Sequence, residues 1–364
     1  MTASLGAIRA ASATSVRVGD AELVLFAGCD YLGLAHHPRV IAALEQGLRD
    51  YGVSASASRA TTGNTIAHEE LERDLARFLG LEDALIVPDG YLSNVVVAQA
   101  LPERIETCLV DRESHASIRD AVLLTGRTVH EYAFVDARAA RARAESLGSR
   151  PFAVFTDGVF PVLRTVAPLK ELLETLPKDG LLVVDDCHAL GVVGARGRGS
   201  LELARISDPR VVVTGTLSKS LGVFGGYVAG AREQVDRARR QSRAFLASTP
   251  IPPALARAAS AALQVVDSEP WRRARLSEHT HRMRALLTRL GRPVGDVPLP
   301  VFALQLEPRA RMERVRDSLA ARGMLVPCID YPDGLGGYLR IALRADHTAA
   351  QVDDLITALT EVLA

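Results

Sequence analysis

One lysine stands where an amine could do covalent chemistry. Lys219 lies in Val213-Thr214-Gly215-Thr216-Leu217-Ser218-Lys219-Ser220-Leu221-Gly222, and Gly225-Gly226-Tyr227 follow. An apolar run leads into small hydroxyl residues, then the amine, then glycines. Hydroxyls of Thr216 and Ser218 can donate to phosphate oxygens, while the glycines allow close backbone approach or a positive φ. Beside apolar strands an amine loses hydration, its pKa falls, and it becomes suited to imine formation. The lysine usage of the chain sharpens this reading. Of 43 Lys and Arg residues only Lys170, Lys178 and Lys219 are lysine. A guanidinium stays protonated near neutrality, so arginine cannot replace a reacting amine. Lys170 falls in an amphipathic helical pattern (Pro168 to Leu176) and Lys178 in a polar turn, where charge alone accounts for them. An incidental lysine on a surface loop is the competing reading of Lys219.

A second cluster is Asp185-Asp186-Cys187-His188, at the end of the apolar run Leu181 to Val184. A carboxylate at a buried strand end needs a cationic or hydrogen-bonding partner. A pyridinium N–H would be one, and an anionic Asp185 would keep that nitrogen protonated and the ring an electron sink. His188 follows on the turn, within reach of another polar atom of the same ring. A metal site on Asp186, Cys187 and His188 is a rival reading, weakened by the lack of a second ligand group. A structural turn is another. In Asp111-Arg112-Glu113-Ser114-His115-Ala116-Ser117, Ser114 is placed to cap the next helix and His115 to stack on a planar ligand. Asp89-Gly90-Tyr91 reads as a strand-to-helix turn whose amides make a phosphate site. There is no Walker A loop, and Gly194-Ala195-Arg196-Gly197-Arg198-Gly199 follows a turn rather than a strand, which argues against a dinucleotide fold.

The elements that position these residues follow from the hydrophobic pattern. Ala84–Val87, Cys108–Val110, Phe152–Phe155, Leu181–Val184 and Val211–Val213 are continuous apolar runs, as in strands buried on both faces of a mainly parallel sheet. Most end in polar residues or glycine, and ligands of open α/β sheets bind beyond such carboxyl ends. From about Pro250 the pattern changes to long helices (Pro253 to Val266, Ala274 to Leu290). A strand at Val301–Leu304, a helix near Met312 to Arg322, a strand at Tyr338–Ile341 and a last helix from Ala349 follow. These predict a smaller α+β domain behind the proline-rich stretch Thr249 to Pro253.

The 364 residues suffice for two cores. Hydrophobic residues make up 48% and charged residues 24%, with a formal net charge of zero. That balance is globular and gives no electrostatic footprint for nucleic acid or an anionic membrane. Cys29, Cys108, Cys187 and Cys328 are far apart, so neither a disulfide framework nor a zinc ribbon is expected. Without a secretory pattern or an apolar span, the expected location is cytoplasmic.

In order along nearly the whole chain, these motifs resemble the α-oxoamine synthases, PLP-dependent enzymes of fold type I. The likeness runs through Asp30-Tyr31-Leu32-Gly33-Leu34, Arg59 with Gly63, His68 with Leu71-Glu72, Gly90-Tyr91 and Ser114-His115-Ala116-Ser117. It continues in Asp185 to His188 with Gly197-Arg198-Gly199, Thr214 to Lys219, Ser248-Thr249 before Pro252-Pro253, and Leu339-Arg340-Ile341 before His347-Thr348. The resemblance implies an α/β chain of the PLP-dependent transferase fold type I. It would have an N-terminal segment (1–45), a large cofactor domain with a mostly parallel central sheet (46–249) and a smaller C-terminal α+β domain (250–364).

It further implies pyridoxal 5′-phosphate as cofactor, in Schiff-base linkage to Lys219. Asp185 would pair with the pyridine nitrogen, His115 would stack on the ring, and His188 would contact the phenolic oxygen. Amides of Gly90 and Tyr91 with the Thr216 hydroxyl would hold the phosphate, and Thr249 would reach it from the second subunit of a homodimer. Arg340 would clamp the amino-acid carboxylate bidentately, with Asp30 as a further substrate-binding residue. The implied reaction condenses an amino acid with an acyl-CoA or acyl carrier thioester, usually with loss of CO2, to an α-amino ketone. An aminotransferase or other Cα-carbanion reaction on the same scaffold is the alternative.

Three features depart from the family pattern. Asp157-Gly158-Val159-Phe160-Pro161-Val162-Leu163-Arg164-Thr165 has Pro161 in place of a serine that would bond the phenolic oxygen, so His188 would make that contact alone. Arg164 would add a cation near the site. Only 29 residues precede Asp30, a short arm for an acyl-donor entrance. Cys187 and Ala189-Leu190 replace smaller residues around His188 and would narrow the pocket. Arg59 and the Ser54 to Thr62 stretch are candidates to line the substrate region.

Overall fold

The computed structural model describes residues 7–330 and 337–363. The apolar runs form one seven-stranded sheet in the order Asp83–Val87, Gly226–Gly230, Val211–Thr216, Leu181–Asp185, Phe152–Asp157, Thr107–Asp111 and Thr128–Tyr132. Neighbours are parallel except Gly226–Gly230, which is antiparallel to both flanking strands. The mostly parallel sheet of a fold type I large domain is therefore present. Every residue of Phe152–Asp157, Leu181–Asp185, Val211–Thr216 and Gly226–Gly230 is buried, which is why their sequences run apolar without alternation. Val110, Phe155, Val183, Val212 and Val228 pack with Val95, Val96 and Ile118 of the helices in one core. Each such side chain contributes about 1.5–3 kcal/mol by leaving water.

Local signals set the helices that feed the sheet. Ile66–Leu79 ends at Gly80, whose φ of 72° sends its N–H back to the carbonyls of Ala76 and Arg77. Gly90–Gln99 begins at Asp89, whose carboxylate accepts from the Leu92 amide at 2.9 Å.

The chain divides into two compact units. One holds Pro38–Phe160 and Val166–Ser268, and the other holds Met1–His37, Pro161–Thr165 and Glu269–Ala364. Position 45 falls inside the helix Pro38–Tyr51, and Pro253–Ser268 packs on that helix and on Ile66–Leu79. Gly47 makes the approach possible, because a Cβ there would lie 2.6 Å from the Cα of Ala254. The other unit carries two small sheets. One contains Ile8–Ala11, Ser15–Val18, Ala21–Leu25 and Met324–Leu325. The second contains Val301–Leu304, Tyr338–Ala342 and Cys328–Ile329. Its helices are Trp271–Arg289, Arg309–Ala321 and Ala349–Leu363. No helix among the described residues is long and apolar enough to cross a membrane.

Candidate active site at the carboxyl edge of the sheet

Asp157, Asp185 and Thr214 are register partners across three adjacent parallel strands. Partners in register send their side chains to the same face, so all three meet at one level beyond the strand ends. The helix Gly90–Gln99 brings Asn94 to them. Asn94 Nδ2 donates to Asp185 Oδ2 at 2.7 Å, and the Thr214 hydroxyl donates to Asn94 Oδ1 at 2.7 Å. The other Asp185 oxygen accepts from the Cys187 amide at 2.9 Å. Asp185 is thereby held at 3% exposure by two neutral donors. A buried carboxylate so placed favours a cationic N–H in front of it.

His115 occupies the N-cap of Ala116–Leu123, and its own Nδ1 accepts from the Ser117 amide. The cap is therefore the histidine and not Ser114, whose buried Oγ has no partner. The His115 backbone N–H donates to Asp157 Oδ2 at 2.9 Å, which ties this turn to the neighbouring strand. Desolvation lowers the His115 pKa from its ordinary value, opposed by the Asp185 charge and aided by that of Lys219, although the residue is exposed. Asp157 moves the opposite way, pushed well above the carboxylate range by burial and by the adjacent Asp185. The Cys187 thiol is likewise raised by burial, with Asp185 nearby.

Lys219 follows the strand Val211–Thr216 and is half-buried, less dry than its apolar approach suggests. Its charge acts on His115, Asp157 and Cys187, which places it among the site residues. Thr216 Oγ1 pairs with Ser218 Oγ at 2.6 Å and accepts from the Ser218 amide at 3.1 Å. Thr216 also abuts Gly90: a Cβ on Gly90 would lie 2.6 Å from Thr216 Cβ and 3.3 Å from Cys187 Sγ. The Gly90 and Tyr91 amides open a ten-residue helix, where no preceding turn supplies acceptors. An anion beside Thr216 suits them. The Tyr91 ring meets His115 edge-on at 6.3 Å, and its hydroxyl donates to Asp120. His188 is half-buried on the turn beyond Asp185. Thr249 is exposed.

This set fits pyridoxal phosphate: a buried carboxylate, a neutral imidazole, an amine, and a glycine-floored helix start next to a hydroxyl. Asp186 Oδ2 accepts from the Ser200 amide at 2.8 Å, and among the described residues no group of three or more His, Cys, Asp or Glu is arranged to hold a metal ion.

Sequence reasoning did not single out Asn94, Ser117 or Asp157 as site residues. Asn94 carried the best available signal, a lone amide one helical turn after Gly90 in the apolar run Leu92 to Ala98. Two assignments change. Arg59 donates to Glu72 and Asn64 and so braces its own segment. Arg164 belongs to the other unit, where it donates to the carbonyls of Gly295, Val297, Leu299 and Val301. In that unit Asp30 accepts from the Leu34 and Ala35 amides, and Arg340 donates to the Gly28 carbonyl and Cys29 Sγ.

Comparison with known proteins agrees with this geometry. Residues 21–359 match the family described as aminotransferase class I and II. An 8-amino-7-oxononanoate synthase of Methylococcus capsulatus is 40% identical over 355 residues, which is 96% of this chain and 92% of that protein. Another, from Anaeromyxobacter dehalogenans, is 39% identical over 99% of this chain and 91% of its own. A serine palmitoyltransferase of S. paucimobilis, solved with a bound PLP–myriocin aldimine, superimposes with a TM-score of 0.91 at 25% identity. The match covers 98% of this chain and 92% of that one. The aminotransferase alternative raised by the Pro161 loop finds no support in the names of these relatives. The chain belongs to the α-oxoamine synthase family of PLP-dependent fold type I enzymes.

Proposed function

We propose that this protein condenses an amino acid with an acyl thioester, from acyl-CoA or an acyl carrier protein, at the carboxyl edge of the large sheet. The observation that carries the reading is the buried, amide-held Asp185 in register with Thr214, two residues before Thr216 and five before Lys219. Bound there, pyridoxal phosphate supplies an electron sink for the bonds at the amino acid's α-carbon.

The chain's own residues do the rest. Asp185 faces the pyridine nitrogen and keeps its proton in place. Neutral His115 covers one face of the ring and excludes water from it. The Gly90 and Tyr91 amides and the Thr216 hydroxyl anchor the phosphate. His188 meets the phenolic oxygen, alone in that contact because Pro161 brings neither a hydroxyl nor an N–H. The Lys219 amine carries the cofactor at rest and moves the α-carbon proton during turnover. Arg340 takes the substrate carboxylate in a two-pronged grip. Asp30, whose carboxylate accepts from the Leu34 and Ala35 amides, is the further substrate-binding residue of this reading. Exposed Thr249 is offered to the phosphate of a second copy, which makes the working unit a homodimer. We place the enzyme in the cytoplasm, in keeping with cysteines that form no disulfide.

The test incubates the holoenzyme with a panel of amino acids and acyl-CoAs and follows free thiol. Thiol release that requires both substrates, and is lost in Lys219→Ala, is the expected result. Amino transfer to a keto acid without thiol release overturns the proposal.

A further inference from the structure

The hydrogen bonds around Asn94 form one unbroken chain through the site, and their hydrogens can be assigned by elimination. Thr214 donates to Asn94 Oδ1, which orients the amide. The two hydrogens of Nδ2 then go to Asp185 Oδ2 at 2.7 Å and to Ser117 Oγ at 3.0 Å. Since Ser117 Oγ accepts from Asn94, its own hydrogen is left for His115 Nδ1 at 2.8 Å. The Ser117 amide donates to the same nitrogen at 3.2 Å. Nδ1 therefore accepts twice and bears no proton, which puts the imidazole hydrogen on Nε2. Asn94 and Thr214 are fully buried, Ser117 is 2% exposed and Asp185 3%, so water does not replace these inner members, while His115 at the end of the chain is exposed.

We propose that Asn94 is a positioning residue that couples Asp185 to His115 through Ser117, fixing the carboxylate's orientation and holding the histidine as its Nε2–H tautomer. This rests on the cofactor reading above, in which Asp185 faces the ring nitrogen and His115 the ring face. The consequence is a ring flanked by a fixed anion and an imidazole that carries its N–H on Nε2. Without the amide, Asp185 loses its helix donor while keeping the Cys187 N–H, and Ser117 can turn its hydroxyl away from His115.

Two readouts test the proposal. In apoprotein labelled with 15N-histidine, the His115 resonances report the tautomer without any cofactor. Wild type should show a bare Nδ1 and a protonated Nε2. Ser117→Ala, which deletes one hydroxyl from a folded helix, and Asn94→Ala should both move His115 part of the way toward a mixture of tautomers, because the Ser117 N–H still donates to Nδ1. In holoenzyme, the pH midpoint of the imine absorbance should shift by about one unit in Asn94→Ala and by less in Ser117→Ala. Thr214→Ser keeps the donor to Asn94 and should behave as wild type in both readouts. A His115 tautomer and an imine midpoint that stay put in Ser117→Ala and Asn94→Ala, even with slower turnover, overturn the proposal. A wild-type protein that forms no imine band would sink the cofactor reading instead, while the apoprotein spectra would still decide the tautomer.

Discussion

Asp157 and Asp185 are register partners on adjacent parallel strands, and both carboxyl groups are buried on the same side of the sheet. Two buried like charges at such proximity cannot both persist, and the structure separates their roles by partner. Asp185 has two side-chain or turn donors, Asn94 and the Cys187 amide, whereas Asp157 has the His115 backbone N–H. Burial and the neighbouring Asp185 push the Asp157 pKa well above the usual carboxylate range. Asp157→Asn, a neutral isostere that keeps an oxygen for the His115 amide, should leave cofactor affinity close to wild type. Asp185→Asn removes the charge facing the ring nitrogen and should weaken binding about 10- to 100-fold. Absorbance titration of the apoproteins with pyridoxal phosphate measures both, and equal losses in the two variants would contradict the division of roles.

Arg340 lies on the strand Tyr338–Ala342, half-buried, with donors on Gly28 O and Cys29 Sγ. Anchoring to backbone and sulfur fixes the plane of the guanidinium, which suits the two-pronged grip proposed for it. Arg340→Ala should raise the KM for the amino acid roughly 30- to 1000-fold, the loss expected for one partner of a charged hydrogen-bonded pair. The KM for the acyl thioester should change little. Arg340→Lys should recover only part, since an ammonium cannot grip two oxygens in one plane. Steady-state kinetics with each substrate varied in turn separates these outcomes.

Much of the site was legible because buried parallel strands announce themselves as continuous apolar runs, and their polar ends mark the carboxyl edge. Lys219, Asp185, His115 and Gly90 all follow from that rule. Gly226–Gly230 was hidden because a short strand bounded by glycines reads as loop. The strands Ile8–Ala11 and Ala21–Leu25 are largely exposed and carry no strong period. Asn94 and Ser117 were missed for a different reason. Their importance lies in which residues they join, Asn94 to Asp185 across 91 positions, and no local pattern encodes that pairing. Arg164 was misjudged because charge in a departing loop suggests a site, while its donors in fact close on carbonyls more than 130 positions away.

Those carbonyls make Arg164 a stability determinant. Its guanidinium is 4% exposed, donates to Gly295, Val297, Leu299 and Val301, and lies over the Phe302 ring at 4.3 Å. Burial lowers its pKa to about 10, still protonated at any physiological pH. Arg164→Ala would leave several carbonyls without partners and should destabilise the protein by roughly 3 kcal/mol or more. Arg164→Lys should rescue little, because a three-donor point charge cannot span carbonyls arranged around a plane. Urea denaturation gives the comparison, and a lysine variant as stable as wild type would refute the argument.

Asp186 supplies a pH-dependent term of determinate sign. Its carboxyl is 1% exposed, one oxygen accepts from the Ser200 amide at 2.8 Å, and Gly158 and Gly199 leave just enough room for it. A Cβ at either glycine would come within 2.2 Å of a carboxyl oxygen. Burial raises the Asp186 pKa from 3.8 to about 7. Between those values the folded chain holds a proton that the unfolded chain has released. Folding therefore takes up a proton, and this group's contribution to stability falls as pH rises from about 4 to about 7. The full loss is on the order of 2–4 kcal/mol. Asp186→Asn mimics the protonated form, so it should match wild type at pH 4 and exceed it in Tm at pH 8 by several degrees. Thermal scans of both proteins between these limits provide the check. Parallel Tm curves would show that Asp186 is ionised throughout and that its amide partner is enough to hold the charge.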